Sequence, residues 1–195
     1  MEPRVDVTDW NERYSRGEKV TSEPNSLLKR AVRSRSPGRA LDIACGAGRH
    51  AIYLASKGWD VTAVDSSRVG IDLLNERARA CGVTVKTHIA DLEQGEFEIE
   101  REAYDLISVF YYLQRDLFPN LSEGLRSGGI VVAAIHMVDE SAGVKPMNPD
   151  YLLQPGELQS FFRSWTIEHY CETADHDADA GEHRRRSAEI IALKR

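Results

Sequence analysis

Asp42 stands four residues before Gly46 and six before Gly48, and Asp65 and Asp91 each close a short apolar run. His136 closes another. Brought together, these groups would make a negatively charged rim beside a tight turn. Glycines at 46 and 48 permit the turn and the close approach of a ligand. Carboxylates accept hydrogen bonds from hydroxyls and amines and attract cations. A histidine beside them is a candidate general base.

Three ligands compete for such a turn. A phosphate-binding loop ends Gly-Lys-Ser/Thr, whereas Gly48 is followed by Arg49 and His50. A dinucleotide fingerprint wants a third glycine but tolerates alanine, and Ala51 stands in its place. A pyrophosphate would also be repelled by Asp42. S-adenosylmethionine (SAM) carries no phosphate and brings two cations, a sulfonium and an ammonium. An acidic residue near its methionine end is favourable. Asp65 is then placed to accept both ribose hydroxyls, and Asp91 to accept from the adenine amine with Leu92 against the ring. Taken singly, each carboxylate has a plainer role. Asp42 would satisfy turn amides, Asp65 would precede a Ser66 cap, and Asp91 would be a solvated loop residue. Their occurrence together with Gly46 and Gly48 favours the cofactor.

The elements that must position these groups follow from pattern. Apolar runs at 40–44, 59–65, 83–89, 104–110 and 130–136 predict five strands. Helices are predicted between them, one opened by Ser66 and Ser67. Residues 127–129 (Ser-Gly-Gly) predict a turn before the fifth strand. Runs at 165–170 and 187–193 predict two final strands with no helix between, hence an antiparallel pair at one edge. The alternation predicts an α/β fold, a mostly parallel seven-stranded sheet with helices on both faces. In such a sheet ligands bind beyond the carboxyl ends of the strands. That places Ala44, Cys45, Gly46, Gly48, Asp65, Asp91, Phe110 and His136 around one mouth. His136 is the candidate base, with a hydrogen-bonded strand-end histidine as the plainer reading. Tyr111 and Tyr112 follow the fourth strand and either wall the acceptor channel or cover the core. Before the sheet, short helices are predicted at 9–14 and 25–34, the first with Trp10 and Tyr14 on one face. Residues 1–36 read as a helical lid and 137–157 as a substrate-side loop of a single domain spanning 1–195.

The whole-chain numbers agree. A chain of 195 residues suits one domain, and a formal net charge of −6 argues against a general nucleic-acid or membrane binder. Cys45, Cys81 and Cys171 are far apart and form no CxxC pair, so neither a disulfide framework nor a metal site is expected. The acidic run at 175–181 lacks calcium-loop spacing. No apolar leader or membrane span is read, so a cytoplasmic protein, monomeric or homodimeric, is expected.

Residues 41–49 (LDIACGAGR) resemble the first motif of class I SAM-dependent methyltransferases, 61–67 (VTAVDSS) the second and 89–92 (IADL) the third. Residues 104–107 and 125–130 are similar to their fourth-strand and fifth-strand signatures. The resemblance covers essentially the whole chain and implies a Rossmann-like fold, SAM as cofactor and S-adenosylhomocysteine as product. It adds Ser66 to the cofactor residues. Within that class, residues 10–14 (WNERY) and 155–158 (PGEL) with Trp165 resemble the tellurite-resistance (TehB-like) small-molecule methyltransferases. That likeness implies that Arg13 and Tyr14 close over the methionine end of SAM, with Arg13 available to its carboxylate, and it adds Trp10 to the cofactor residues. It also implies His176 on the substrate side, beside His136 and Tyr112 as candidate catalytic residues. The expected function is methyl transfer to a small molecule, with soft thiol, selenium or tellurium acceptors fitting an in-line displacement. A non-catalytic SAM-binding regulatory module is the alternative. A nicotinamide oxidoreductase is disfavoured by Asp42 and the missing glycine.

Overall fold

The computed structural model describes residues 7–18, 20–140, 147–173 and 185–195. Two helices lead in, α1 (Val7–Ser15) and α2 (Ser26–Val32), the latter capped by the Asn25 side chain, which accepts from the Leu27 amide. Then strands and helices alternate: β1 (Arg39–Ile43), α3 (Arg49–Ser56), β2 (Asp60–Asp65), α4 (Arg68–Ala80), β3 (Lys86–Ile89), β4 (Tyr104–Phe110), α5 (Leu117–Gly124) and β5 (Leu125–His136). A 3-10 turn (Pro149–Tyr151), α6 (Glu157–Ser160), β6 (Thr166–Glu172) and β7 (Ser187–Leu193) complete the chain. Pro119 sits in the first turn of α5, where its missing amide hydrogen costs no helical bond.

The seven strands form one sheet in the order β3-β2-β1-β4-β5-β7-β6. The first five are parallel, and β7 inserts antiparallel between β5 and β6. The expected α/β architecture with its antiparallel edge is therefore the observed one. The chain lays β2 and β3 on one side of β1 and returns to lay β4 on the other. The crevice of this sheet accordingly opens at the carboxyl ends of β1 and β4, beside Ala44 and Tyr111.

One expectation changes. Residues 127–129 are not a turn ahead of the strand but part of β5. Between Tyr104↔Leu125 and Leu106↔Ile130, β5 holds three more residues than β4. The tail beyond β7 stabilises this bulge: the Gly128 amide donates to the Lys194 carbonyl at 2.8 Å, and the Lys194 amide to Gly129 at 2.9 Å. Gly128, at φ +82°, supplies the conformation the bulge requires.

Alternation along the strands divides the core in two. Ala40, Leu106, Val132 and Ala134 face α2, α3 and α4, where Leu28, Leu54 and Leu74 are fully buried. Leu41, Ile43, Ile107 and Val131 face the other way, toward α5, α6 and Phe162. Each buried leucine, isoleucine or valine among them contributes about 1.5–3 kcal/mol. The residues that follow β5 are tied back beside it: the Leu153 amide donates to the His136 carbonyl at 2.9 Å, and the Met137 amide to Arg186 at 2.9 Å.

Candidate active site

The turn after β1 is built from left-handed backbone: Ala44 at φ +51°, Gly46 at +53° and Gly48 at +80°. The Cys45 amide donates to the Val64 carbonyl at 3.1 Å, tying the turn to β2. Asp65, at the end of β2, completes the tie. Its Oδ2 accepts from the Gly46 amide and its Oδ1 from the Ser67 amide, both at 2.8 Å. Both oxygens expected for ribose hydroxyls thus already accept one hydrogen bond, and each keeps a further lone pair. Burial raises the Asp65 carboxyl pKa, opposed by those two amides. The cap of α4 is Ser67, whose hydroxyl accepts from the Gly70 amide; Ser66 stands half-buried beside it rather than capping. The Cys45 thiol is buried, and its pKa is raised by that burial and by Asp65 and Asp42.

Helix α1 lies over this turn. Asn11 Oδ1 accepts from the Ser67 hydroxyl at 2.7 Å and the Val69 amide at 3.2 Å, so α1 docks on the start of α4. Asn11 was not among the sequence candidates; only its place between Trp10 and Tyr14 hinted at a role. Tyr14 is buried against Gly46 and Gly70: a methyl group on Gly46 would meet the Tyr14 hydroxyl at 2.2 Å. Burial first, and then the Asp65 carboxylate, push the Tyr14 hydroxyl far above its ordinary pKa, so it stays protonated. Trp10 packs on Tyr14 with ring centroids 5.7 Å apart. Arg13, expected to reach for a carboxylate, lies over the Trp10 ring at 4.6 Å and pairs with Glu18 at 3.3 Å.

Asp42 is not on the rim. It lies within β1, 1 % exposed, in register with Ser108 of β4. Its Oδ1 accepts from the Ser108 hydroxyl at 2.7 Å, and its Oδ2 has no hydrogen-bond partner among the described residues. Burial pushes its carboxyl up to about 7, against the pull of Ser108, the Ala51 amide and Arg49. A carboxyl whose pKa rises on folding stabilises the fold below its unfolded pKa and loses that contribution as pH climbs toward 7. A rise of roughly three units corresponds to about 4 kcal/mol. An Asp42→Asn protein is therefore expected to gain stability relative to wild type, by up to about 4 kcal/mol, between about pH 4 and pH 8. Denaturant unfolding at a series of pH values checks this; a difference that stays flat with pH would show that Asp42 does not titrate in that window.

At the β3 end, the half-buried Asp91 caps its own turn, with Oδ1 accepting from the Glu93 amide at 2.9 Å. Leu92 is buried in the core, and its carbonyl accepts from Gln114. Tyr112 joins this side: it packs on the Leu92 face of the sheet and donates to Gln114 Oε1 at 2.7 Å. Its hydroxyl pKa is raised strongly by burial, then by Glu93 and Asp91. The structure therefore separates Tyr112 from His136, with which it was grouped.

Tyr111 takes the opposite face. Its ring lies 4.9 Å from that of His136, which is 6 % exposed at the end of β5. The Arg49 guanidinium stands 5.5 Å from the Tyr111 ring. The Tyr111 hydroxyl accepts from Asn25 Nδ2 at 3.0 Å. Phe110, expected at the mouth, is buried with its ring 4.0 Å from that of His50. Burial holds His50 neutral, and its Nε2 has no hydrogen-bond partner among the described residues. His176 lies outside the described residues. Among those described, no group of three or more His, Cys, Asp or Glu could hold a metal ion, and no helix is long and apolar enough to cross a membrane.

A family model described as "Tellurite resistance protein TehB" matches residues 9–188. The chain is 30% identical over 146 residues to the "Probable S-adenosyl-L-methionine-dependent methyltransferase TehB" of Haemophilus influenzae (strain 10810), covering 70% of this chain and 49% of that protein. It is 26% identical over 167 residues to "Hemagglutinin 1" of Eikenella corrodens, covering 80% of this chain and 54% of that one. The chain thus spans about half the length of these curated relatives. The crystal structure of TehB from Haemophilus influenzae superimposes with a TM-score of 0.75 over 95% of this chain and 67% of that one, at 24% identity.

Proposed function

The chain belongs to the TehB family, and we propose that it is a SAM-dependent methyltransferase acting on a small-molecule acceptor. The observation that carries this reading is the partner of the glycine turn. The Gly46 amide, which a phosphate-binding turn would offer to its ligand, is held by the Asp65 carboxylate. A turn clamped by an acid suits a cationic, phosphate-free ligand. The buried Asp42 Oδ2, without a hydrogen-bond partner among the described residues, fits the same ligand.

SAM, when bound, supplies a methyl group on a sulfonium that is already a good leaving group. In this reading Asp65 and Ser66 would hold the ribose, Asp91 and Leu92 the adenine, and the turn at Ala44, Cys45, Gly46 and Gly48 the methionine end. Asp42 adds a buried acidic group behind the turn. Trp10, Arg13 and Tyr14 cover the site, and Tyr14 keeps water off the turn. The chain's remaining task is to orient the nucleophile, which accounts for roughly 7–11 kcal/mol in favourable cases. A thiol, selenium or tellurium acceptor needs little more. A hydroxyl or protonated amine needs a base, and His136 is the residue at the strand end able to serve. The free cysteines Cys45, Cys81 and Cys171 fit a reducing cytoplasm.

Calorimetry with SAM and S-adenosylhomocysteine tests the cofactor, and release of S-adenosylhomocysteine across thiol, selenite, tellurite, hydroxyl and amine panels tests the reaction. Both ligands are expected to bind, and a soft acceptor to be methylated. Failure of both ligands to bind would overturn the reading. Binding without transfer to any acceptor would make the chain a SAM-binding module instead.

A further inference from the structure

We propose that the groove at the amino ends of β1 and β2 is a second ligand site, one that takes a small phosphorylated molecule with a planar ring, of the kind of a nucleoside diphosphate. The groove has a volume of about 440 Å³ and lies between the end of α2 and the end of α3. That volume is within the usual range for small-molecule sites. The groove is separate from the candidate active site. The glycine turn precedes α3 and the groove follows it, so the eight residues of that helix hold the two roughly 12 Å apart.

The lining is cationic and aromatic. Lys29, Arg33, Arg35 and Lys57 line the groove and no carboxylate does, among the described residues of a chain whose formal net charge is −6. Two of the four cations already have an acid: Lys29 pairs with Glu23 at 2.8 Å, and Arg35 with Glu168 of β6 at 2.5 Å. Arg33 and Lys57 pair with no carboxylate among the described residues. A helix C-terminus favours one cation beside it, which accounts for Arg33 after α2 and Lys57 after α3 taken singly. It does not account for both reaching one groove. Two uncompensated charges call for a dianion, and a planar guanidinium beside an ammonium suits a phosphate, which the guanidinium meets with two parallel hydrogen bonds.

The rings set the rest of the ligand. Trp59 is buried and closes the groove on the core side, and Tyr53 is half-buried beside it. Lys57 Nζ rests over the Tyr53 ring, 5.5 Å from its centre. Drawn to a phosphate, Lys57 leaves that face to a ring of the ligand, which stacks there.

Calorimetry tests the site, with adenosine, inorganic pyrophosphate and ADP titrated into protein saturated with S-adenosylhomocysteine, so that the turn is filled. ADP is expected to bind more tightly than pyrophosphate, and adenosine not measurably, with an ADP affinity that falls as salt is raised. Arg33→Gln and Lys57→Gln are each expected to weaken ADP binding roughly tenfold. Both side chains are exposed, so the melting temperature should stay nearly unchanged. Tyr53→Leu is expected to bring ADP down to the level of pyrophosphate. No ADP binding, or ADP binding that the Arg33→Gln, Lys57→Gln double variant leaves intact, would overturn the proposal. Equal affinity for ADP and pyrophosphate in the wild-type protein would overturn the part given to the ring. A single strand of about ten nucleotides that binds roughly a hundredfold tighter than ADP, and is lost in the double variant, would make the groove a nucleic-acid surface instead. If S-adenosylhomocysteine itself fails to bind, the methyltransferase reading falls. ADP entering the empty turn would then be indifferent to the two substitutions in the groove, so the two failures stay apart.

Discussion

An Asp65→Ala protein is expected to lose about 3–5 kcal/mol of folding stability and at least roughly 100-fold in affinity for S-adenosylhomocysteine. The two losses have one cause. Asp65 accepts from the Gly46 and Ser67 amides, so its carboxylate joins the glycine turn to the start of α4. Alanine leaves both buried amides without that acceptor. A hydrogen bond to a charged group is worth about 1.5–3 kcal/mol net. The sum is a large part of the 5–15 kcal/mol that holds a typical domain together. Affinity falls further because the same carboxylate is the proposed ribose contact. Asp65→Asn separates the roles: its single carbonyl oxygen can serve one amide, so stability should fall by about half as much while affinity falls nearly as far. Urea unfolding and calorimetry read the two effects. Wild-type affinity in a folded Asp65→Ala protein would remove Asp65 from the cofactor site.

The sequence made the strands legible because parallel strands buried on both faces are short apolar runs, as at 40–44 and 130–136. It also made the edge pair legible, since no helical pattern separates the last two runs. The beginning of β5 was not legible, because its three extra residues are held by Lys194, a partner 66 residues beyond Gly128. Asp42 could have been placed better. In a strand, residues two apart share a face, so Asp42 lies with Ala40 beneath α3 and not on the rim. Tyr111 and Tyr112 show the limit of the same rule. Adjacent residues were bound to diverge, but the left-handed turn at Tyr111 decides which one reaches His136, and no local pattern announces that turn. Asn25 reads in the sequence as the first residue of the second helix, whereas the structure makes it the cap; its reach to Tyr111 is a tertiary contact with no local trace.

Gly46→Ala is expected to act through Tyr14 more than through the backbone. Gly46 sits at φ +53°, where an alanine costs about 1–2 kcal/mol. Gly82 provides the control: at φ +67° an added Cβ there meets nothing within 4 Å, so Gly82→Ala carries the backbone cost alone. At Gly46 the added Cβ would also lie 2.2 Å from Tyr14 Oη and 3.1 Å from Cζ. The hydroxyl cannot stay, and with it goes the seat of α1 over the turn. Gly46→Ala should therefore melt lower than Gly82→Ala, lose at least about 100-fold in affinity for S-adenosylhomocysteine, and expose α1 to protease. Adding Tyr14→Phe removes the nearer atom and leaves a contact that a shift of a few tenths of an ångström relieves. The Gly46→Ala, Tyr14→Phe double variant should thus regain most of the excess stability loss, while Tyr14→Phe alone costs little. Equal melting of the Gly46 and Gly82 variants would mean that Tyr14 does not close on the turn in solution. The water-excluding role proposed for α1 would then have to pass to another part of the chain.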